Sequence, residues 1–295
     1  MKLRNTNSSA PQTVLNREIL ITLCLLPLVC LGQTARDEKA DVGGYQLRYV
    51  QAGSGKPVVV FESGLGEDLS TWNAVQPQVA GFTGTFGYDR AGLGKSDPSP
   101  HPRTVEQMAT ELHALLHATK VLPPYVLVGH SLGGAIVTVF ARAYPSEVAG
   151  LVLVDPEDGR LDEMLRTHMT PADWAARQKA VAEALPQMPA AVRAELDAYH
   201  NSGKAGAEGS PFPKVPVVLL TGTKKSPEFP GNPMEQDLKL QLHQEFLAKT
   251  PGSEHVLVPN SRHYIQNDAP GLVIEAIRRV VRHSASTGGS KSSQD

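Results

Sequence analysis

One short stretch, Tyr125 to Gly134, constrains the fold of this 295-residue chain more than any other. It reads YVLVGHSLGG. The β-rich apolar run Tyr125-Val126-Leu127-Val128 enters a turn, Gly129-His130-Ser131-Leu132-Gly133, and a helix-like segment from Leu132 to Ala143 follows. Gly129 and Gly133 carry no side chains, so neighbouring backbone can pass close to a sharp turn at Ser131. The Leu132 amide, at a helix start, then faces any oxygen that becomes negative near the Ser131 hydroxyl. A G-x-S-x-G pattern between strand and helix marks Ser131 as a candidate nucleophile. The alternative is a glycine-rich turn that only packs. His130 sits beside it, and adjacent residues on such a turn point apart, so His130 reads as structural.

The flanking pattern extends this unit into a layered fold. Tyr45 to Val50 alternates as a half-buried strand should. Val58 to Phe61, Thr85 to Tyr88, Leu151 to Val154, Val215 to Thr221 and His255 to Val258 read as further strands. Helical spacing covers Thr104 to Lys120, Met234 to Ala248 and Val273 to His283. Strands that alternate with helices predict an α/β fold with a mostly parallel sheet and helices on both faces. The core divides into residues 41–156 and 214–283. Between them, residues 157–213 hold helical stretches (Leu161 to His168, Pro171 to Leu185, Ala190 to His200) and no strand pattern, which predicts a small helical insertion. Residues 284–295 are polar and read as a disordered tail. Ser131, Asp155, Leu65 and His263 all fall just after predicted strands, where such sheets carry their chemistry.

Composition excludes several classes. A net charge of -2 gives no electrostatic reason to expect nucleic acid. Both cysteines, Cys24 and Cys30, lie in the N-terminal apolar run, so the folded part has no thiolate metal site, and no His/Cys/carboxylate group has metal-ligand spacing in the sequence. Residues 1–35 read as a signal peptide or N-terminal membrane anchor. Lys2, Arg4 and Arg17 precede the apolar run 19–31, which is short for a membrane span and is interrupted by Pro27. Export to the periplasm or outside the cell is expected, with residues 19–31 as a means of membrane association.

On these residues the chain resembles the α/β-hydrolase superfamily from about Tyr45 to His283, the helical insertion excepted. Gly129 to Gly134 resembles its nucleophile elbow. Tyr88-Asp89-Arg90-Ala91-Gly92-Leu93-Gly94-Lys95-Ser96 is similar to its DRxGxGxS loop, and Asp89 with Arg90 reads as an intramolecular brace. Ser63-Gly64-Leu65-Gly66 stands where members carry His-Gly before an oxyanion residue. The histidine is replaced by Ser63, a loop hydrogen bonder, while the Leu65 amide is kept. Ser261-Arg262-His263-Tyr264 resembles the loop of the catalytic histidine, and residues 157–213 match the place of a lid.

The resemblance implies a serine hydrolase of esters or related acyl bonds, cofactor-independent and without metal, acting on a small-molecule acyl substrate. His263 is the expected general base, because the order Ser, acid, His is the one this architecture uses. The acid is open at this stage. The commoner position, after the strand Val215 to Thr221, holds Lys225, with Glu228 three residues on. Asp155 ends the preceding strand, similar to lipases whose acid follows that strand, and is preferred. Glu228 is the alternative, then Glu157 or Asp158. Leu65 and Leu132 are the expected oxyanion donors. A different class is also consistent with the altered Ser63 loop: a receptor-like or non-catalytic binding protein on the same fold. The sequence leaves the oligomeric state open.

Overall fold

The computed structural model describes residues 1, 35–201, 212–224 and 233–288. The predicted signal peptide or anchor, its run 19–31 and both cysteines lie outside the described residues, as do Lys225 and Glu228. No helix among the described residues is long and apolar enough to cross a membrane.

In chain order the elements are β1 (Arg36–Asp41), β2 (Gln46–Ala52), β3 (Val58–Glu62), α1 (Gln76–Val79), β4 (Thr85–Tyr88), α2 (Val105–Ala118), β5 (Tyr125–His130), α3 (Leu132–Ala143) and β6 (Val148–Val154). They continue with α4 (Leu161–His168), α5 (Pro171–Ala184), α6 (Ala190–Asn201), β7 (Val217–Gly222), α7 (Pro233–Ala248), β8 (Glu254–Val258), α8 (Ile265–Asp268) and α9 (Pro270–Gly288). The strands form one sheet in the order β1-β2-β4-β3-β5-β6-β7-β8. From β4 to β8 all pairings are parallel, while β1 and β2 pair antiparallel at one edge.

The period of two explains the core. Val58 and Val60, Tyr125 and Leu127, and Leu151 and Leu153 face one layer, formed with α2 and α3. Val59 and Phe61, Val126 and Val128, and Val152 and Val154 face the other, with Trp72, Val79 and the apolar stripe of α9. Each of these fully buried aliphatic side chains contributes about 1.5–3 kcal/mol relative to exposure. Continuous apolar runs in the sequence are therefore strands covered on both faces.

β1 has no counterpart in the sequence reading. Its segment, RDEKAD, is charged and almost wholly exposed, so no apolar alternation announces it. It is held by pairing with β2 and by side-chain bonds: Arg48 to Asp37 at 2.7 Å and the Tyr49 hydroxyl to Glu38 at 2.7 Å. Charges on an edge strand also discourage further strand addition. At the other end α9 runs through Gly288, so residues 284–288, assigned to the tail by their polarity, are helical.

The described part of the insertion carries the helices α4, α5 and α6 and no strand. α4 packs on α7: Leu161 and Leu165 are buried with Leu238 and Leu242, and Met169 and Trp174 lie against them. These side chains serve packing of the insertion on the core.

Candidate active site

The elbow is built as the sequence demands. β5 ends at His130, and Ser131 takes φ 53° and ψ -122° before α3 begins at Leu132. A non-glycine residue there costs on the order of 1–3 kcal/mol, which the surrounding structure must over-determine. It does so with three backbone bonds, Ser131 N–H to the Val154 carbonyl at 3.2 Å, and Glu157 N–H at 3.0 Å and Gly134 N–H at 2.9 Å to the Ser131 carbonyl. A Cβ on Gly129 would lie 2.5 Å from the Gly133 carbonyl oxygen, and one on Gly133 would strike the Glu62 backbone. Both positions therefore require glycine.

Asp155 repeats the strain one strand away, with φ 44° directly after β6. Its Oδ1 accepts the Gly222 N–H at 3.1 Å. Its Oδ2 lies 2.7 Å from His263 Nδ1. A carboxylate only accepts, so this contact places the imidazole proton on Nδ1 and leaves the lone pair on Nε2. Asp155 is buried, whereas the His263 side chain is 27% exposed. A lysine joins them: Lys239 Nζ, on α7, lies 2.9 Å from Glu157 Oε1, 3.3 Å from Asp155 Oδ2 and 3.5 Å from His263 Nδ1. Burial opposes ionisation of Asp155. The Lys239 charge and the His263 hydrogen bond outweigh it and hold the carboxyl well below the usual range. Burial likewise disfavours the Lys239 ammonium, but Glu157 and Asp155 raise its pKa above the ordinary lysine value.

The loop after β3 carries Leu65. Leu132 opens α3, where a first-turn N–H has no intrahelical acceptor. The Leu65 amide donates to no backbone carbonyl among the described residues. The loop is held from both sides. Ser63 Oγ donates to the Asp68 carbonyl at 3.0 Å, and Glu67 Oε2 accepts from Gly64 N–H at 2.9 Å and Thr71 Oγ1 at 2.9 Å. Glu67 also lies 3.2 Å from His130 Nδ1, while His130 Nε2 contacts the His263 carbonyl at 3.0 Å. His130 thus ties the Leu65 loop to the His263 loop. Burial opposes ionisation of Glu67, yet His130 and the loop donors hold it down to about 2.

Behind this loop lies Arg90. Its Nη1 donates to Glu62 Oε1 at 2.8 Å and the Ser63 carbonyl at 2.6 Å, its Nη2 to the Gly64 carbonyl at 2.6 Å and Glu195 Oε2 at 2.8 Å, and its Nε to Glu195 Oε1 at 2.7 Å. Glu195 comes from α6 of the insertion and also accepts the Gly66 N–H at 3.0 Å. All three side chains are buried. Asp89 and Arg90 brace loops, as expected, but through different partners. Asp89 accepts Leu69 N–H at 2.9 Å, Lys95 N–H at 2.9 Å and Arg48 Nη1 at 3.1 Å, so each residue braces a different loop.

The profile described as the alpha/beta hydrolase fold matches residues 57–208. The chain is an α/β hydrolase. It is 29% identical over 232 residues to the uncharacterised protein YqjL of Bacillus subtilis (strain 168), covering 76% of this chain and 83% of that one. Solved structures share the fold at lower identity. A thermophilic esterase from Thermogutta terrifontis is 22% identical at a TM-score of 0.58, over 85% of this chain and 99% of its own. A serine hydrolase involved in carbazole degradation is 20% identical at 0.62, over 84% and 99%.

In this α/β hydrolase the structure brings Asp155 and His263 into contact and sets Ser131 at the end of the strand beside Asp155. Asp158 turns away to Arg160 at 2.7 Å. Glu157 meets Lys239 at 2.9 Å and accepts from the Tyr199 hydroxyl at 3.3 Å. Sequence reading missed Lys239, Glu195, Glu62 and Glu67. Each partners groups far along the chain, and no local pattern distinguishes a buried charged residue on a helix from a solvated one. For Glu195 the one available signal is an acid set among alanines in the insertion.

Proposed function

We propose that this α/β hydrolase cleaves an ester or related acyl bond through an acyl-enzyme on Ser131. The contact between Asp155 and His263, beside the strained serine turn, carries the reading. His263 Nε2 takes the Ser131 proton as the hydroxyl attacks the substrate carbonyl, then returns it to the leaving group. Asp155 fixes the tautomer and stabilises the imidazolium. The Leu65 and Leu132 amides bind the oxyanion, each worth roughly 3–4 kcal/mol. Water attacks the acyl-enzyme by the reverse path. These side chains and water suffice for the atom balance of hydrolysis.

A fluorophosphonate probe tests the nucleophile: stoichiometric labelling at Ser131 is expected, and folded protein that stays unlabelled would instead favour a binding role. A panel of p-nitrophenyl esters of increasing chain length then defines the acyl preference. The N-terminal reading is proposed alongside. Residues 1–35 direct export, and a chain lacking residues 1 to 32 folds and keeps its activity. Full-length protein that fractionates with the cytosol would end that proposal.

A further inference from the structure

The opposite edge of the sheet carries a second arrangement of chemistry-bearing side chains. His113 and His117 stand one turn apart on α2, an i, i+4 pair that the sequence reading passed over when it found no metal-ligand spacing, and Glu147 closes the short turn before β6. β6 runs from Val148 to Val154 and spans about 23 Å at ordinary strand rise, so this group is remote from Asp155. His113 Nε2 lies 3.1 Å from Glu147 Oε1 and 3.1 Å from His117 Nε2, and all three ligand atoms fall within 4.8 Å of one another.

Hydrogen bonding accounts only in part for this convergence. A ring nitrogen offers one proton or one lone pair in the ring plane, so His113 Nε2 can serve its two neighbours only through a shared, weaker three-centre contact. Glu147 Oε2 is buried without a hydrogen-bond partner. A shared cation can take a lone pair from each of the three residues. Bonds of about 2.0–2.1 Å at tetrahedral angles put the donor atoms of a zinc site roughly 3.3 Å apart, close to the two separations observed. The His113 ring is also held in advance. His113 stacks on Tyr144 with centroids 3.7 Å apart and an interplanar angle of 3°, and packs against Phe140.

We propose that His113, His117 and Glu147 bind Zn²⁺, with water in the fourth position. Two imidazoles and one carboxylate suit a borderline ion of this kind. The ion joins α2 to the start of β6 and acts as a structural clamp, independent of the Ser131 site.

The test uses untagged full-length protein, stripped of metal and titrated with ZnCl₂ by calorimetry. One saturable site is expected, with Tm raised by about 5 °C when zinc is at a hundred times its Kd. His117→Gln, at an exposed position, and Glu147→Gln should each weaken binding by more than about tenfold, since loss of even an outer-shell partner costs that much. Circular dichroism of both variants confirms folding. Absence of saturable binding, or unchanged affinity in folded His117→Gln, would overturn the proposal; the second result would place the zinc on other histidines.

Discussion

Around Lys239 the chain gathers Asp155, Glu157 and the His263 imidazole; around Arg90 it gathers Glu62, Glu195 and the Tyr88 hydroxyl. Both clusters sit at the carboxyl edge of the sheet and both set one cation between two carboxylates. They differ in access and in what they hold. The first ends in a partly exposed imidazole. The second is sealed, and its guanidinium spends its planar fork of donors on two backbone carbonyls and two carboxylates. Lysine could not replace it there, because an ammonium is a compact point charge without that geometry. On the proposed mechanism, the first charge set handles protons because it includes an imidazole at the solvent edge. The second is a scaffold because every donor is fixed and dry. Burial pushes Glu62 upward despite Arg90, and holds no such advantage over Glu195, which Arg90 keeps below the usual range.

The contrast predicts rate effects from the first cluster and stability effects from the second. Ser131→Ala should lower ester turnover by about 10⁶-fold with an unchanged melting temperature. Substantial activity in that variant, free of host esterases, would remove the serine from the mechanism. Asp155→Asn should cost roughly 10⁴-fold in kcat, because asparagine carries no charge for the imidazolium and favours the wrong tautomer. Glu228→Gln should stay near wild type; the reverse pair of results would move the acid to the loop after β7.

Arg90→Met should destabilise the fold by about 3–5 kcal/mol in guanidinium titrations, since it leaves two buried carboxylates unpaired. A loss well below 1 kcal/mol would mean that the sealed cluster only fills space. The smallest effect is expected at Lys239, which does not reach the reacting atoms. Lys239→Met should change kcat by less than about tenfold. Its signature is in pH. Asp155 is depressed in the fold, so its contribution is present above the unfolded value of about 3.9 and is lost as pH falls through the depressed one. Without Lys239, burial dominates and the acid-side loss of stability should begin at higher pH. Melting curves between about pH 3 and 8 would show the shift; coincident curves would show that His263 alone holds Asp155 ionised.

Much of the fold was legible because its signals are local. Runs such as Val126-Leu127-Val128 and Val152-Leu153-Val154 alternate between two core layers, and the sequence displays that period directly. β1 was not legible, since an exposed charged strand exists only through its partner. The extension of α9 past Ser284 was hidden for a related reason: polar residues on an exposed last turn look like a tail.

By itself the sequence determined the order of the strands from β2 to β8, the glycines that the serine turn requires, and the candidates Ser131, Asp155 and His263. Backbone sterics and side-chain periodicity act over a few residues, so a linear reading captures them. Tertiary structure alone decided which carboxylate meets His263, that Lys239 shares it, and that α6 reaches back with Glu195 to hold the loop of Leu65. These contacts join residues 24 to 129 positions apart. Their strength comes from burial in a low-dielectric interior, and burial is a property of the folded chain rather than of any segment.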